Sequence, residues 1–364
     1  MIATVVRFAT AVTAALKGWL DFFENDSANK CFYLLWERLT ESTSTEVFMC
    51  TAVCYRSDSS YFGRNLDLDR GYAERVVITP RNYEITMRCG RPITSHYAMI
   101  GMASVFENYP LYYEATNEKG LSMAGLNFPE NAVYHPFAAG KDNIAPFELI
   151  PWILAQCSCI DETKALLDRI NLVNIDFSEQ LPTSPLHWMI SDKKYSMVVE
   201  PTKDGLKRYD NPFEVLTNNP PFEYHHTNVS HYMGLRIGQA VTQFKESIPA
   251  KNYSLGLGAL GLPGDYSSVS RFIRALFVKE NSVSEHNEKS NVNQFFHILN
   301  AVAMPKGCVQ AAQGFEYTRY SSCCNADRGI YYYTTYDHLA LTSIDMYAVD
   351  LNQSLLCTYD VKGL

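Results

Sequence analysis

Met49-Cys50-Thr51-Ala52-Val53, followed by Tyr61-Phe62-Gly63-Arg64-Asn65-Leu66-Asp67, is the stretch on which the reading of this chain turns. Residues 51–56 and 61–66 are strand-like, and Ser57-Asp58-Ser59-Ser60 between them is turn chemistry, so the stretch predicts a β-hairpin. The hairpin returns Arg64 and Asp67 towards Cys50. A cysteine directly after a methionine, with a cation and a carboxylate brought back beside it, points to a thiol that works as the first residue of the mature protein. The thiolate is the nucleophile, and a free cysteine has a pKa of about 8.5, so at neutral pH the sulfur needs a base or a cation nearby. A terminal cysteine carries its own base, because an α-amino group titrates at roughly 7.7 to 8.0. The alternative is that Cys50 is a buried strand residue like others among the ten cysteines.

Upstream, residues 1–40 read as one or two amphipathic helical pieces (11–23 and 30–39) ending in the polar linker Thr40-Glu41-Ser42-Thr43-Ser44-Thr45. As a propeptide, or as sequence upstream of a true start at Met49, this extension of residues 1–49 is expected to be absent from the mature enzyme. Residues 50–364 are then the catalytic domain. The apolar run from Phe8 to Leu20 is interrupted by Lys17, precedes Asp21, Glu24 and Asp26, and lacks a small-residue cleavage site, which argues against a secretory signal. Nothing approaches the eighteen or so apolar residues of a membrane span.

The 364 residues are 47% hydrophobic and 19% charged, as in a globular protein with a sizeable core. A net charge of −8 and a pI near 5.6 leave no basic field for nucleic acid. The cysteines (31, 50, 54, 89, 157, 159, 308, 323, 324, 357) form no paired CxxC motifs, and His225 and His226 are adjacent rather than spaced for shared ligation, so neither a metal nor a cofactor is expected. Free thiols in a reducing, cytoplasmic compartment fit this pattern.

Downstream, strands are expected at 74–79, 96–105, 112–115 and 121–126. A helix follows at 146–156, kinked or restarted by Pro151, and another at 162–170, capped by Asp161. Strands return at 186–191 and 195–200, with a shorter pair at 206–209 and 213–217. Helices are expected at about 231–244, 267–279 and 291–303, and a closing β meander at 315–321, 329–335 and 341–349. Strands, helices and strands again make an α+β order without βαβ alternation, packed most simply as two antiparallel sheets with helices outside.

With these elements in place, the sequence resembles the choloylglycine hydrolase family, the conjugated bile salt hydrolases and penicillin V acylases among the N-terminal nucleophile hydrolases. The resemblance runs from Met49 to the C-terminus. It is carried by MCTA (49–52), YFGRNLDL (61–68), ERVVITPRNY (74–83), NEKGLSMAGLNFP (117–129), LHWMISD (186–192), VLTNNP (215–220) and GLPGDYSSVSRF (261–272). It implies a four-layer αββα sandwich of two antiparallel sheets. It also implies that Cys50 is the nucleophile and its α-amine the proton acceptor, with Arg64 favouring the thiolate. It further implies that Asp67 accepts a hydrogen bond from the amine. By the same resemblance, the backbone N–H of Asn127 and the side-chain amide of Asn218 would form the oxyanion hole, and Arg271 would complete the site. Without the resemblance, Arg64 and Asp67 read as a surface salt bridge, the asparagines as turn formers, and Arg271 as an ordinary helix cation.

The position of Asn127 is commonly asparagine in bile salt hydrolases and tyrosine in penicillin V acylases, which favours a bile salt. Leu66, Ile100, Met102, Phe128, Phe137 and Ile150 are candidate linings for a wide apolar cleft. The expected reaction is therefore hydrolysis of a glycine- or taurine-conjugated bile acid through an acyl-enzyme, in a homotetramer as family members often form. The same chemistry on penicillin V or an N-acyl homoserine lactone is the nearest rival. A silent binding protein, with residues 1–49 still attached, is a third reading.

Overall fold

The hairpin forms as expected: β1 (Met49–Arg56) and β2 (Ser60–Leu68) run antiparallel, with Cys50 opposite Leu66 and Met49 opposite Asp67. The computed structural model describes residues 49–242, 244–311 and 314–364; the helical pieces and linker expected within residues 1–45 lie outside the described residues. The strands that follow are β3 (Glu74–Thr79), β4 (Met99–Phe106), β5 (Tyr109–Asn117), β6 (Ser122–Asn127), β7 (Asp142–Ile144) and β8 (Ile170–Leu172). Next come β9 (Leu186–Ser191), β10 (Ser196–Thr202), β11 (Gly205–Asp210), β12 (Val215–Leu216) and β13 (Val309–Ala311). The last are β14 (Gly314–Asn325), β15 (Ile330–Thr335), β16 (Thr342–Asp345) and β17 (Cys357–Asp360). The α-helices among the described residues are α1 (Leu149–Gln156), α2 (Ile160–Leu167), α3 (Phe222–Asn228), α4 (Ser268–Glu280) and α5 (Glu288–Asn300).

One sheet runs β12-β1-β2-β14-β15-β16 with β13 on β14, and the other β11-β10-β9-β6-β5-β4-β3-β17; both are antiparallel throughout. Side chains alternate across a strand, and here the alternation divides two cores. Val76, Ile78, Ile100, Met102, Leu126 and Met189 face the first sheet, in a cluster that continues to Phe272, Phe295 and Leu299 of α4 and α5. Their neighbours Val77, Met99, Met123, Trp188 and Ile190 face Leu149, Ile153 and Leu154 of α1 and Leu166 of α2. Helices, sheet, sheet and helices are therefore stacked, which is the αββα sandwich.

Local differences from expectation have identifiable causes. Helix α2 is not capped by Asp161, which lies in its first turn; the Ile160 N–H is taken instead by the Asp192 carboxylate at 2.8 Å, an acceptor supplied from distant sequence. Pro151 does not end α1. It is the helix's third residue, where a missing N–H costs no intrahelical bond. The segments 206–209 and 213–217 do not pair with each other: β11 lies on β10, whereas β12 lies on β1. Asn211 makes this switch, its side-chain oxygen accepting from the N–H groups of Phe213 and Glu214 before the chain crosses to the other sheet.

The expected helix at 231–244 is replaced by a short 3-10 turn (Val229–Tyr232) and irregular chain among the described residues. Its apolar positions have helical spacing, but Met233, Ile237, Val241 and Phe244 are all exposed, so no core rewards the helix. Gly234 and Gly238 weaken it further. Of the proposed cleft residues, Leu66, Ile100, Met102, Phe128 and Ile150 are buried in the cores and only Phe137 is exposed. Their hydrophobicity serves packing.

Candidate active site

Cys50 sits near the start of β1 with 2% of its surface exposed, and the sheet order brings to it residues far apart in sequence. β12 pairs with β1 so that Leu216 faces Ala52, which carries Asn218, two residues further on, beside Cys50. The Cys50 N–H donates to Asn218 Oδ1 at 2.8 Å, and Asn218 Nδ2 donates to the Asn127 carbonyl at 2.8 Å. Arg271, in the first turns of α4, donates from Nη2 to Asn218 Oδ1 at 2.8 Å, and from Nη1 to the Cys50 carbonyl and to Thr51 Oγ1 at 2.7 Å. The helix holding it starts at the Ser267 cap and is tied back through Ser268 Oγ, which accepts from the Asn218 N–H at 2.9 Å.

The other sheet supplies the surroundings of Arg64. Its side chain crosses from β2, and Nη1 donates to the carbonyls of Tyr113 (3.0 Å) and Gly125 (2.6 Å). Glu114 faces it at 3.9 Å and itself accepts from the hydroxyls of Tyr320, Ser322 and Tyr331. Asp67 Oδ1 accepts from Thr318 Oγ1 at 2.6 Å, while Asp67 Oδ2 and Arg64 Nη2 are buried without a hydrogen-bond partner among the described residues. The expected partner of Asp67, the nitrogen of Cys50, points here to Asn218. As a peptide nitrogen it has one hydrogen to give, whereas an ammonium has three.

The electrostatics follow from two guanidinium groups and three acids, Asp67, Glu114 and Glu316, sealed from water. Burial pushes the Cys50 thiol up; Arg64 and Arg271 oppose this, and Asp67 reinforces it. Burial raises Asp67 to about 6 against the pull of Arg271, Thr318 and Arg64. Burial also works against the charge on Arg64, but Cys50, Tyr320, Glu114 and Asp67 outweigh it and raise its pKa. Arg271 is lowered, chiefly by burial. Glu316, on the neighbouring β14, is pushed up to about 8 by burial with Asp67 next.

All six residues singled out from the sequence, Cys50, Arg64, Asp67, Asn127, Asn218 and Arg271, thus stand together, each no more than 4% exposed. Sequence reasoning missed Thr318, Glu114 and Glu316. Thr318 lies opposite Asp67 only through the β14–β2 register, for which the local sequence carries no signal. The nine cysteines described are all free. No His, Cys, Asp or Glu cluster among the described residues has the arrangement of a metal site, and no helix among them is long and apolar enough to cross a membrane.

A buried thiol flanked by two guanidinium groups, at the start of a strand in an αββα sandwich, defines the class of N-terminal nucleophile hydrolase folds. The sequence pattern of the linear amide C–N hydrolases of the choloylglycine hydrolase family matches residues 50–359, and the chain belongs to that family. It is 50% identical over 316 residues to the bile salt hydrolase/transferase of Lactiplantibacillus plantarum, covering 86% of this chain and 98% of that protein. A solved conjugated bile acid hydrolase from Clostridium perfringens is 37% identical with a TM-score of 0.80, over 86% of this chain and 97% of the other. The penicillin V acylase from Agrobacterium tumefaciens, 18% identical over 86% of this chain and 91% of its own, shares the fold with a TM-score of 0.69.

Proposed function

We propose that this chain hydrolyses the amide bond of glycine- or taurine-conjugated bile salts, with Cys50 as an N-terminal nucleophile once residues 1–49 have been removed. The observation that carries this reading is the hydrogen-bonded set Cys50–Asn218–Asn127–Arg271, with Arg64 and Asp67 buried beside it. The name of the 50%-identical relative supports the substrate, and a family match that begins at residue 50 supports the processing.

In this mechanism the free α-amine takes the thiol proton, and the thiolate attacks the amide carbon. The negative charge that develops on oxygen falls to the Asn127 N–H and the Asn218 amide. The C–N bond breaks as the ammonium returns its proton to the departing amine of glycine or taurine, leaving a thioester on Cys50. Water, deprotonated by the same amine, attacks that thioester, and the bile acid leaves as its carboxylate. Asp67 orients the amine through the oxygen that lacks a partner when the nitrogen is a peptide. Arg64 and Arg271 oppose the desolvation of the thiolate and offset part of it.

Assembly into a homotetramer belongs to the same proposal, with the exposed Met233, Ile237, Phe244 and Leu255 as side chains a further copy would cover. The test of the activity is a comparison of glycocholate and penicillin V as substrates of the purified protein, with intact mass measured on the same sample. Preference for penicillin V would overturn the substrate; turnover by a chain still carrying Met49 would overturn the mechanism.

A further inference from the structure

Two imidazoles and a carboxylate that take no part in the steps above are sealed beside Asn218: His187, Glu200 and His225 are each 0% exposed. His187 in β9 and Glu200 in β10 lie one step beyond the paired residues Trp188 and Val199, and His187 Nδ1 is 3.1 Å from Glu200 Oε1. The same oxygen accepts from the Phe222 N–H at 2.9 Å. On the other side of the ring, His187 Nε2 lies 2.8 Å from the Thr217 carbonyl oxygen. A carbonyl only accepts, so Nε2 carries a hydrogen and donates it, and the neighbours dictate the arrangement of the ring. The imidazole lies flat against Phe128, with centroids 4.3 Å apart and planes 5° from parallel.

Thr217 immediately precedes Asn218, and Phe128 immediately follows Asn127. One side chain therefore touches both peptide segments that carry the oxyanion donors proposed above. His225 adds a second hold, its Nε2 3.0 Å from the carbonyl of Asn218 itself. Consecutive carbonyls, those of Thr217 and Asn218, are each held by a buried imidazole. Packing alone does not call for this, since apolar side chains of similar volume fill such a space without the desolvation cost of a buried acid and imidazole.

We propose that His187, oriented by Glu200, is a positioning residue for amide hydrolysis: it locks residues 217–218 against 127–128, so that the Asn127 backbone and the Asn218 amide keep one fixed separation while charge develops between them. The proposal rests on the reading of Cys50 as nucleophile.

The substitution His187→Phe keeps a ring to stack on Phe128 and deletes the donor to Thr217; Glu200→Gln keeps an acceptor for Phe222 and removes the acid. For each, kcat and KM on glycocholate, the rate of Cys50 alkylation by iodoacetamide, and thermal unfolding are measured on the mature enzyme. Removing an oxyanion donor outright costs about 10²–10³ in kcat. A residue that positions the donors is expected to cost less, about tenfold or more in kcat for H187F, with KM changed by less than about threefold. The alkylation rate, which depends on the thiolate and not on the oxyanion hole, should remain that of the wild type. E200Q should move kcat in the same direction by a smaller factor, and it carries the test if H187F does not fold. A kcat within about twofold of wild type, or a loss of kcat matched by slower alkylation and a raised KM, would overturn the positioning role. The underlying reading fails separately: wild-type turnover that survives complete alkylation of Cys50 would remove the nucleophile and leave nothing for His187 to position.

Discussion

At the scale of single residues the site is an exercise in placing charge where water is absent. Cys50 is buried, and burial alone would keep it a thiol; what opposes this is a pair of guanidinium groups that are themselves 0% exposed. Cys50→Ala should leave the fold intact and abolish turnover, as read by glycocholate hydrolysis and a thermal melt on one sample. Cys50→Ser should leave a small residue of activity at best, because a hydroxyl is far harder to ionise than a thiol. Asp67 contributes differently. One of its oxygens is uncommitted among the described residues, and its one observed bond, from Thr318, holds the other oxygen in place. Asp67→Ala should lower kcat by about 10²-fold or more with little change in melting temperature, the signature of a residue that orients the base. Near-normal kinetics would take Asp67 out of the site.

At the scale of elements, the site depends on strands approaching closely and on one chain segment changing sheets. A Cβ at Gly63 would stand 1.9 Å from the Ser322 carbonyl oxygen, so the residue before Arg64 has to be glycine for β2 to pair with β14. Gly63→Ala should destabilise by about 1–3 kcal/mol, the usual cost of overpacking, and displacement of Arg64 should lower activity with it; denaturant unfolding checks the first and kcat the second. His225 provides a pH test of the segment that carries Asn218. Burial lowers it to about 4 from an ordinary 6.5, so between those values the unfolded chain binds a proton that the folded chain refuses. Its contribution to stability is therefore present above pH 6.5 and lost as the pH falls towards 4, by about 3 kcal/mol at the limit. His225→Phe, which retains a ring against Phe272, should be less stable than wild type at pH 7 and lose less on acidification to pH 4.5. Parallel melting curves for the two proteins at both pH values would refute this.

The hairpin, and the gathering of the six candidate residues around Cys50, were legible in the sequence because their signals are local or carried by motifs: turn residues between two strand-like runs, and short patterns in a fixed order. The crossing of β12 to pair with β1 was not, although it is what delivers Asn218, because it depends on the side chain of Asn211 and on which sheet edge is vacant. The failed helix at 231–244 shows the complementary limit. Its apolar spacing is right for a helix, but spacing cannot report whether a core lies beneath it.

For the whole molecule, the decisive question is the chemical state of one nitrogen. In a chain that continues through Met49, the nitrogen of Cys50 is an amide: it donates a single hydrogen, to Asn218, and cannot act as a base. In a chain that begins at Cys50 it is an amine, with a basic lone pair near neutral pH and, once protonated, hydrogens enough for Asn218 and Asp67 together. Activity should therefore scale with the fraction of molecules whose first residue is Cys50. A chain expressed from Met49, and trimmed of it, should be fully active. The 364-residue chain held uncleaved should be inactive, although its two sheets and its buried arginines are unchanged. Intact mass and glycocholate turnover on the same fractions measure this directly, and an uncleaved chain with the specific activity of the trimmed one would leave the proton of Cys50 without an acceptor and the mechanism without its base.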